Sequence, residues 1–520
     1  MRLKIIKYIL YQITFGTISL ILVSCANQEE TSTRSSAAND SIYIKLTMTT
    51  PTSTRSNPSG GEYGDGAEAG INHENDIHNL ALFFYQNSDA SNIESTNGIA
   101  PITQINVDPS KINQSAGSAV AAVAIPVNAL KLNVSYHIVV VANINNTDLN
   151  HITSLSDLQA SVIRNAYTTS TLLSDYNNFV MTSRFRTPAD DAQYILTTAN
   201  KIETPLKITV TLERLAARID IVPQTSSNGA TYNISGGFYS YPAGSEGDEF
   251  HLIDIKAVNC MHAGSYLLKH LTSSNTDGTI ASGYRLIGTE QPESGDETNY
   301  VLDPWTREKT ADATTMNLYE TSTDINTFYN HYFNLSSTMN IWGTADLVKQ
   351  CNNDTPYILT YTLENTMAQA DQTSKYSTGL LLKGIYIPHF WYVLDGETLK
   401  AERATADSTF YLYDHVIYGS APALLKAVNT KLNTNYTESQ VLSLSDVYTY
   451  TGGVCYYNYW IRHSNNNNLA NGIMEFAIVR NNIYRITINS FNSIGYSIPS
   501  NGNENDEYMN ATLHVIPWSL

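Results

Sequence analysis

From Ile42 to Met48 the chain alternates, with Ile42, Ile44, Leu46 and Met48 on one side and Tyr43, Lys45 and Thr47 on the other. A period of two is the pattern of a strand that turns one face to a core. A run this regular commits the chain to a sheet in which a facing layer covers that row. The residues on either side make it a strand that can be removed. Upstream, Arg2, Lys4 and Lys7 lead into an apolar run over residues 8–23, which ends in Leu22-Val23-Ser24-Cys25. A basic start, an apolar middle and small residues before the break mark a secretory signal. The run is shorter than the ~20 apolar residues of a spanning helix, and Gln12, Thr14 and Thr17 interrupt it. Downstream, Arg55 precedes Ser56 in a Thr/Ser/Pro segment, followed by Asn57-Pro58-Ser59-Gly60-Gly61. That composition is loop-like and open to proteases. A cut after Arg55 detaches residues 42–48. Arg34 is a rival site, and a cut there leaves the strand attached.

A removed core strand needs a replacement, and the far end of the chain offers one. Residues 509–520 place Met509, Ala511, Leu513 and Val515 in one row, behind an acidic, Asn-rich linker at 501–507. Burying a large aliphatic side chain contributes about 1.5–3 kcal/mol, so the three large residues of the tail supply roughly 4–9 kcal/mol. Ordering and association costs subtract from this. An intact strand in its own chain has no association cost, so a donor from elsewhere competes only after that strand has been cut away. An unfilled groove is a sticky open edge, so the uncut chain is expected to stay monomeric.

Between these ends the sequence reads as strands joined by turns. Strand patterns are predicted at residues 77–85, 120–127, 134–144, 207–222, 252–258, 357–364, 380–387, 409–418 and 454–462, with two more over 472–490 meeting at Asn481-Asn482. Helices are predicted at 154–166, where Ser154 and Asp157 form a capping pair, and at 421–432. The expected fold is mainly β: two β-sandwich domains in tandem, with a few short helices and long loops. Tyr outnumbers Phe and Trp, 35 against 13 and 5, which suits half-buried strand faces. With Cys25 set aside, Cys260, Cys351 and Cys455 are an odd number, so no disulfide framework is expected. A net charge of -18 without a basic cluster argues against nucleic acid. No zinc-protease, P-loop, nucleophile-elbow or EF-hand pattern is present. Cys260, His262 and His270 fall short of a four-ligand site, and Asp190-Asp191 reads as loop solvation. No catalytic, cofactor or metal residue is assigned.

Leu22-Val23-Ser24-Cys25 resembles the lipobox of bacterial lipoproteins. That resemblance implies cleavage before Cys25 and a diacylated thiol, palmitate among the acyl chains. In the C-terminal half, Cys455-Tyr456-Tyr457-Asn458-Tyr459-Trp460-Ile461-Arg462-His463, residues 472–484 and Tyr361-Thr362-Leu363-Glu364-Asn365-Thr366 resemble the fimbrillins of Bacteroidales, the type V pilins. Within that family the likeness is to the main shaft subunit of a minor fimbrium. Arg214-Leu215-Ala216-Ala217-Arg218-Ile219 resembles the start of its second domain. The resemblance implies transthyretin-like sandwiches and this division: 1–24 signal, 25–55 lipidated propeptide with the removable strand, 56–213 first domain, 214–520 second domain with a donor strand at about 507–520. It implies an outer-membrane lipoprotein precursor, cut at Arg55-Ser56 by an Arg-specific surface protease. The donor strand of another copy then fills the groove, building an adhesive fimbrium on the cell surface. The implied partners are identical subunits and accessory fimbrial subunits. Two other readings stay open: an anchor or tip subunit, and a glycan-binding surface lipoprotein. The anchor would keep its lipid, the tip would need no free tail, and the glycan binder would bind sugars as an uncut monomer.

Overall fold

The computed structural model describes residues 41–49, 67–86, 93–94, 102–115, 117–171, 173–223, 231–234, 247–272, 283–288, 300–306, 309, 333–334, 356–374, 376–464, 471–499 and 508–519. Cys25, Arg34, Arg55, Ser56, Cys351 and the linker at 501–507 lie outside them.

The alternating run forms the strand Ser41–Thr49, and it is an interior strand. It belongs to a nine-stranded sheet. In order, this sheet runs Ile102–Val107, Leu80–Tyr85, Ser135–Ala142, Met181–Ser183, Leu206–Arg214, Ser41–Thr49, Ser118–Pro126 and Ile112–Ser115. The short strand Tyr194–Ile195 pairs beside Ser135–Ala142. Leu80–Tyr85, Ser118–Pro126 and Ser135–Ala142 follow predicted runs, whereas Ile102–Val107, Ile112–Ser115, Met181–Ser183 and Tyr194–Ile195 were not among them.

Before residue 223, two expected elements differ. The run at 207–222 is two strands, Leu206–Arg214 and Ala216–Pro223, which belong to different sheets. At the break, the Leu215 amide donates to the Val180 carbonyl, and the Arg214 amide donates to Asn481 Oδ1. The helix at 154–166 is only Leu155–Ala160. Its Ser154–Asp157 capping box forms as expected, but Ser161 turns extended so that Val162–Ile163 can pair with Ser265–Tyr266.

A five-stranded sheet runs Glu68–Ala69, Met509–Ser519, Asn482–Phe491, Ala216–Pro223 and Tyr357–Leu363. A four-stranded sheet runs Thr231–Asn233, Glu249–Val258, Gly379–Ile387 and Val454–Trp460. Both contribute to one apolar cluster that includes Ile219, Ile221, Phe250, Leu382, Tyr457 and Val515. The expected hairpin over 472–490 is half right. Asn481 takes the left-handed conformation of a turn (φ 57°), but only Asn482–Phe491 is a strand.

Between the paired strands Gly379–Ile387 and Val454–Trp460 the chain makes a separate excursion. Its sheet is ordered Thr398–Arg403, Phe390–Asp395, Val416–Tyr418, Phe410–Tyr413 and Val447–Tyr450. The run predicted as one strand at 409–418 is here a hairpin. Asp414 and His415 both have positive φ, as its two-residue turn demands. Helix Ala421–Leu432 has the predicted bounds, with Ser420 capping its start and Asn433 its end.

The largest apolar cluster draws on both sides of Leu215. It holds the first strand's row together with Tyr361, Trp460, Phe476, Ile483, Ile516 and Trp518.

Candidate functional site

The first strand fills a slot between two neighbours. It pairs antiparallel with Ser118–Pro126 along its whole length, from Ser41↔Pro126 to Thr49↔Ser118. It pairs parallel with Leu206–Arg214, from Ile44↔Leu206 to Thr49↔Thr211. Ile42, Ile44, Leu46 and Met48 are each no more than 1% exposed, while Lys45 on the other face is exposed. Taking this strand out would break two ladders and empty one apolar row.

The tail strand, Met509–Ser519, lies on its own chain. It pairs antiparallel with Asn482–Phe491, from Phe491↔Met509 to Asn482↔Pro517. Met509, Leu513 and Val515 are buried as the period-two reading expects, and Ala511 is partly buried. Ile516, Pro517 and Trp518 are also buried, so both faces of the distal end are covered.

What covers that end is a strap formed by residues 68–75. Glu68 and Ala69 pair in parallel with Trp518 and Ser519, and the Gly70 amide donates to the Ser519 carbonyl at 2.8 Å. Arg214, fully buried, donates to the carbonyls of Glu74, Trp518 and Ser519. Its guanidinium sits 4.5 Å from the Trp518 ring centroid, a cation–π contact. Burial pulls Arg214 down from its ordinary value, and Glu74 opposes the shift. Trp518 packs edge-on against Phe179 and stacks on Tyr361, with centroids at 5.5 and 5.9 Å.

Around the strap runs a chain of charges. Glu68 accepts from Arg218 at 3.1 Å and from Arg485 at 2.8 Å. Arg218 also binds Asp220 and Glu74, both at 2.9 Å. Arg485 reaches Asp220 at 2.8 Å. Tyr361 donates to Glu74 at 2.5 Å, and its hydroxyl is raised by burial and then by Glu74. Arg218, Glu74 and Asp220 each meet an opposite charge, as burial requires. A cleft of about 420 Å³ joins the two features: Ala69, Gly70 and Asn75 of the strap line one side, and Ser118 and Ala119 of the first strand's slot line the other.

Glu68 makes the strap sensitive to acid. Burial raises its carboxyl, but the hydrogen bond and charge of Arg485 and the charge of Arg218 outweigh that and hold it below the ordinary range. A depressed carboxylate gives stability that is full above its unfolded value, about 4.3, and that is lost as pH falls through the lower folded value. The protection of the amides of Val515, Ile516, Trp518 and Ser519, taken relative to their intrinsic exchange rates, is therefore expected to fall in acid in the wild type. Glu68→Gln should exchange faster at neutral pH and show a flatter pH profile. Identical profiles for the two proteins would remove Glu68 from the clamp.

The remaining sequence candidates are placed apart. Cys260 and Cys455 are free, buried thiols, each pushed up to about 12 by burial. His270 is buried between Tyr266 and Tyr284 and pulled down to about 3 by burial, while His262 is exposed. Among the described residues no group of three or more His, Cys, Asp or Glu could hold a metal ion. Asp191 corrects the loop-solvation reading. It is buried, accepts from Tyr85 at 2.9 Å, contacts His137 at 2.9 Å and binds the Ile93 amide. Sequence periodicity missed the strap network. Its one visible signal was Arg214, Arg218 and Asp220, charges that with Glu213 interrupt an apolar run.

Residues 448–520, which contain the tail strand and its partner, match the family model for the fimbrillin C-terminal region of the type IV major fimbrial subunit protein. No curated protein matches the chain. Among solved structures it is similar to a fimbrilin from Porphyromonas gingivalis, at 14% identity and TM-score 0.38, covering 92% of this chain and 99% of that one. It is also similar to a C-terminally truncated tip fimbrial protein from the same species, at 12% identity and TM-score 0.34, covering 92% and 100%. A fimbrial assembly protein from Parabacteroides distasonis matches at 12% identity and TM-score 0.26, over 51% and 77%. Residues 448–520 are thus similar to the C-terminal region of the fimbrillins.

Proposed function

We propose that this chain is a shaft-type structural subunit of a cell-surface fimbria, polymerised by strand exchange. It is exported as a lipoprotein on Cys25 and cut between Arg55 and Ser56 by an Arg-specific surface protease. The cut releases the first strand, and the tail of another copy, offering Met509, Ala511, Leu513 and Val515, occupies the vacated slot. This is strand addition in the manner of pilin complementation. The observation that carries the reading is the position of Ser41–Thr49: an interior strand with a buried apolar row, joined to the rest of the chain through the segment that holds Arg55. So placed, the strand would leave an open slot between two neighbours when removed. That suits a part that is held until it is replaced.

The test is the N-terminal sequence and mass of the protein in sheared surface material. A start at Ser56 without lipid is expected, and Arg55→Ala should leave intact, acylated monomer and no filament. Normal filaments from Arg55→Ala would end this reading. An acylated Cys25 start in wild-type filaments would move the chain to an anchor role.

A further inference from the structure

Away from the strap lies a cluster that strand exchange does not use. Lys309 is completely buried, and its Nζ donates to Asp303 Oδ2 at 2.5 Å, Asn365 Oδ1 at 2.8 Å and the Thr366 carbonyl at 2.7 Å. Asp303 and Asn365 are buried with it. Asp303 is fixed by the amides of Trp305 at 2.7 Å and Thr366 at 2.6 Å. The Asn365 carboxamide is fixed from its other end, donating to the Tyr376 carbonyl at 2.7 Å and to Thr378 Oγ1 at 3.0 Å. Its backbone is tied to Ile478 in both directions. One amine, one carboxamide and one carboxylate thus meet inside the protein in a single arrangement.

That is the set of groups an amide exchange needs. An amine attacks a carbonyl once it has lost a proton, and an adjacent base takes that proton. Holding nucleophile and electrophile together replaces a bimolecular encounter. We propose that Lys309 and Asn365 are joined by an intramolecular isopeptide bond, formed with Asp303 as proton carrier. Lys309 passes a proton to Asp303, and the neutral Nζ attacks Cγ of Asn365. The Nζ–Cγ bond forms, Asp303 returns the proton to Nδ2, and the Cγ–Nδ2 bond breaks. Ammonia leaves and the second Nζ proton is lost to it, giving a secondary amide and ammonium. No oxidant or external reagent is required. The bond would tie the segment after strand Tyr300–Leu302 to the end of strand Tyr357–Leu363. It would close the intervening chain into a ring, a constraint that chiefly limits the unfolded state. A subunit that bears load at the cell surface gains resistance to being pulled open.

The experiment is mass spectrometry on the folded, full-length chain, intact and after tryptic digestion. The expected result is a mass lower by one ammonia and a branched peptide that joins Lys309 to Asn365, with no cleavage after Lys309. Lys309→Arg and Asp303→Asn should each return the full mass and two linear peptides. A wild type of full mass, with Lys309 and Asn365 in separate linear peptides, overturns the proposal. So does an ammonia loss that maps to another asparagine. Cross-linked Asp303→Asn would overturn the part given to Asp303. The wild-type measurement decides the matter even where a variant fails to fold.

Discussion

A chain that begins at Ser56 and keeps its own tail is expected to lose its cooperative melt. Four side chains leave with the first strand: Ile42, Ile44, Leu46 and Met48, each at most 1% exposed. At about 1.5–3 kcal/mol apiece they remove roughly 6–12 kcal/mol. Net stabilities of whole domains are about 5–15 kcal/mol, so the loss is of the same size as everything that holds such a fold. Both neighbours, Leu206–Arg214 and Ser118–Pro126, also lose their ladder partner. The expected rescue is specific. A peptide with the sequence of Ser41–Thr49 should restore a concentration-dependent melt, and so should one with the sequence of Met509–Ser519. Thermal unfolding followed by circular dichroism, with each peptide titrated, reads this directly. Rescue by the first peptide and not the second would sink the exchange. A chain that melts normally without either would show that the first strand is dispensable.

The exchange requires two departures. The slot must empty, and the donor must leave its own sheet. The proposed cleavage after Arg55 would account for the first, because a strand tethered to its own chain has a high effective concentration that no second copy can match. It does not account for the second. Glu68, Gly70, Glu74 and Asn75 all follow Arg55 in the chain, so the strap remains on the cut subunit and still holds Trp518 and Ser519. Such a cut would free the acceptor and leave the donor clamped. This division predicts a lag between cleavage and growth that depends on the strap and not on the protease.

Much of this architecture was legible because it rests on local periodicity. The first strand, the tail, the helix at Ala421–Leu432 and the cap at Ser154 were all set by short-range patterns that tertiary contacts left alone. Errors arose where a distant residue decided the outcome. Nothing between 207 and 222 announces that Leu215 will bond to Val180, so one run read as one strand. Asp414-His415 was hidden inside a β-like run because neither residue is glycine. Trp518 stood outside the alternating row of the tail, so its burial could not be read from period two. The partners that bury it, Arg214, Phe179 and Tyr361, lie far away in sequence. The charged strap was illegible for the same reason: Glu68 and Arg485 meet only in three dimensions.

Trp518→Ala is expected to weaken the monomer and speed assembly at once. Removing a fully buried aromatic side chain costs about 3–5 kcal/mol. The cation–π contact with Arg214 and the stacking on Tyr361 go with it. Because each 1.4 kcal/mol is a factor of ten, local opening of the distal tail should rise by roughly two to three orders of magnitude. Hydrogen exchange at residues 513–519 reads that change. The row that would enter a neighbour's slot, Met509, Ala511, Leu513 and Val515, is untouched by the substitution. Cleaved Trp518→Ala protein should therefore polymerise sooner than cleaved wild type, although its own melt is lower. Leu513→Asp makes the opposite case. It loosens the tail from its own cluster and also spoils its fit to any apolar slot, so assembly should stop. The two variants separate a lock from a key: both destabilise the resting tail, but only one damages what the tail delivers. If assembly by Trp518→Ala instead slows in proportion to its lost stability, Trp518 is part of the donor surface and the strap holds nothing that growth must release.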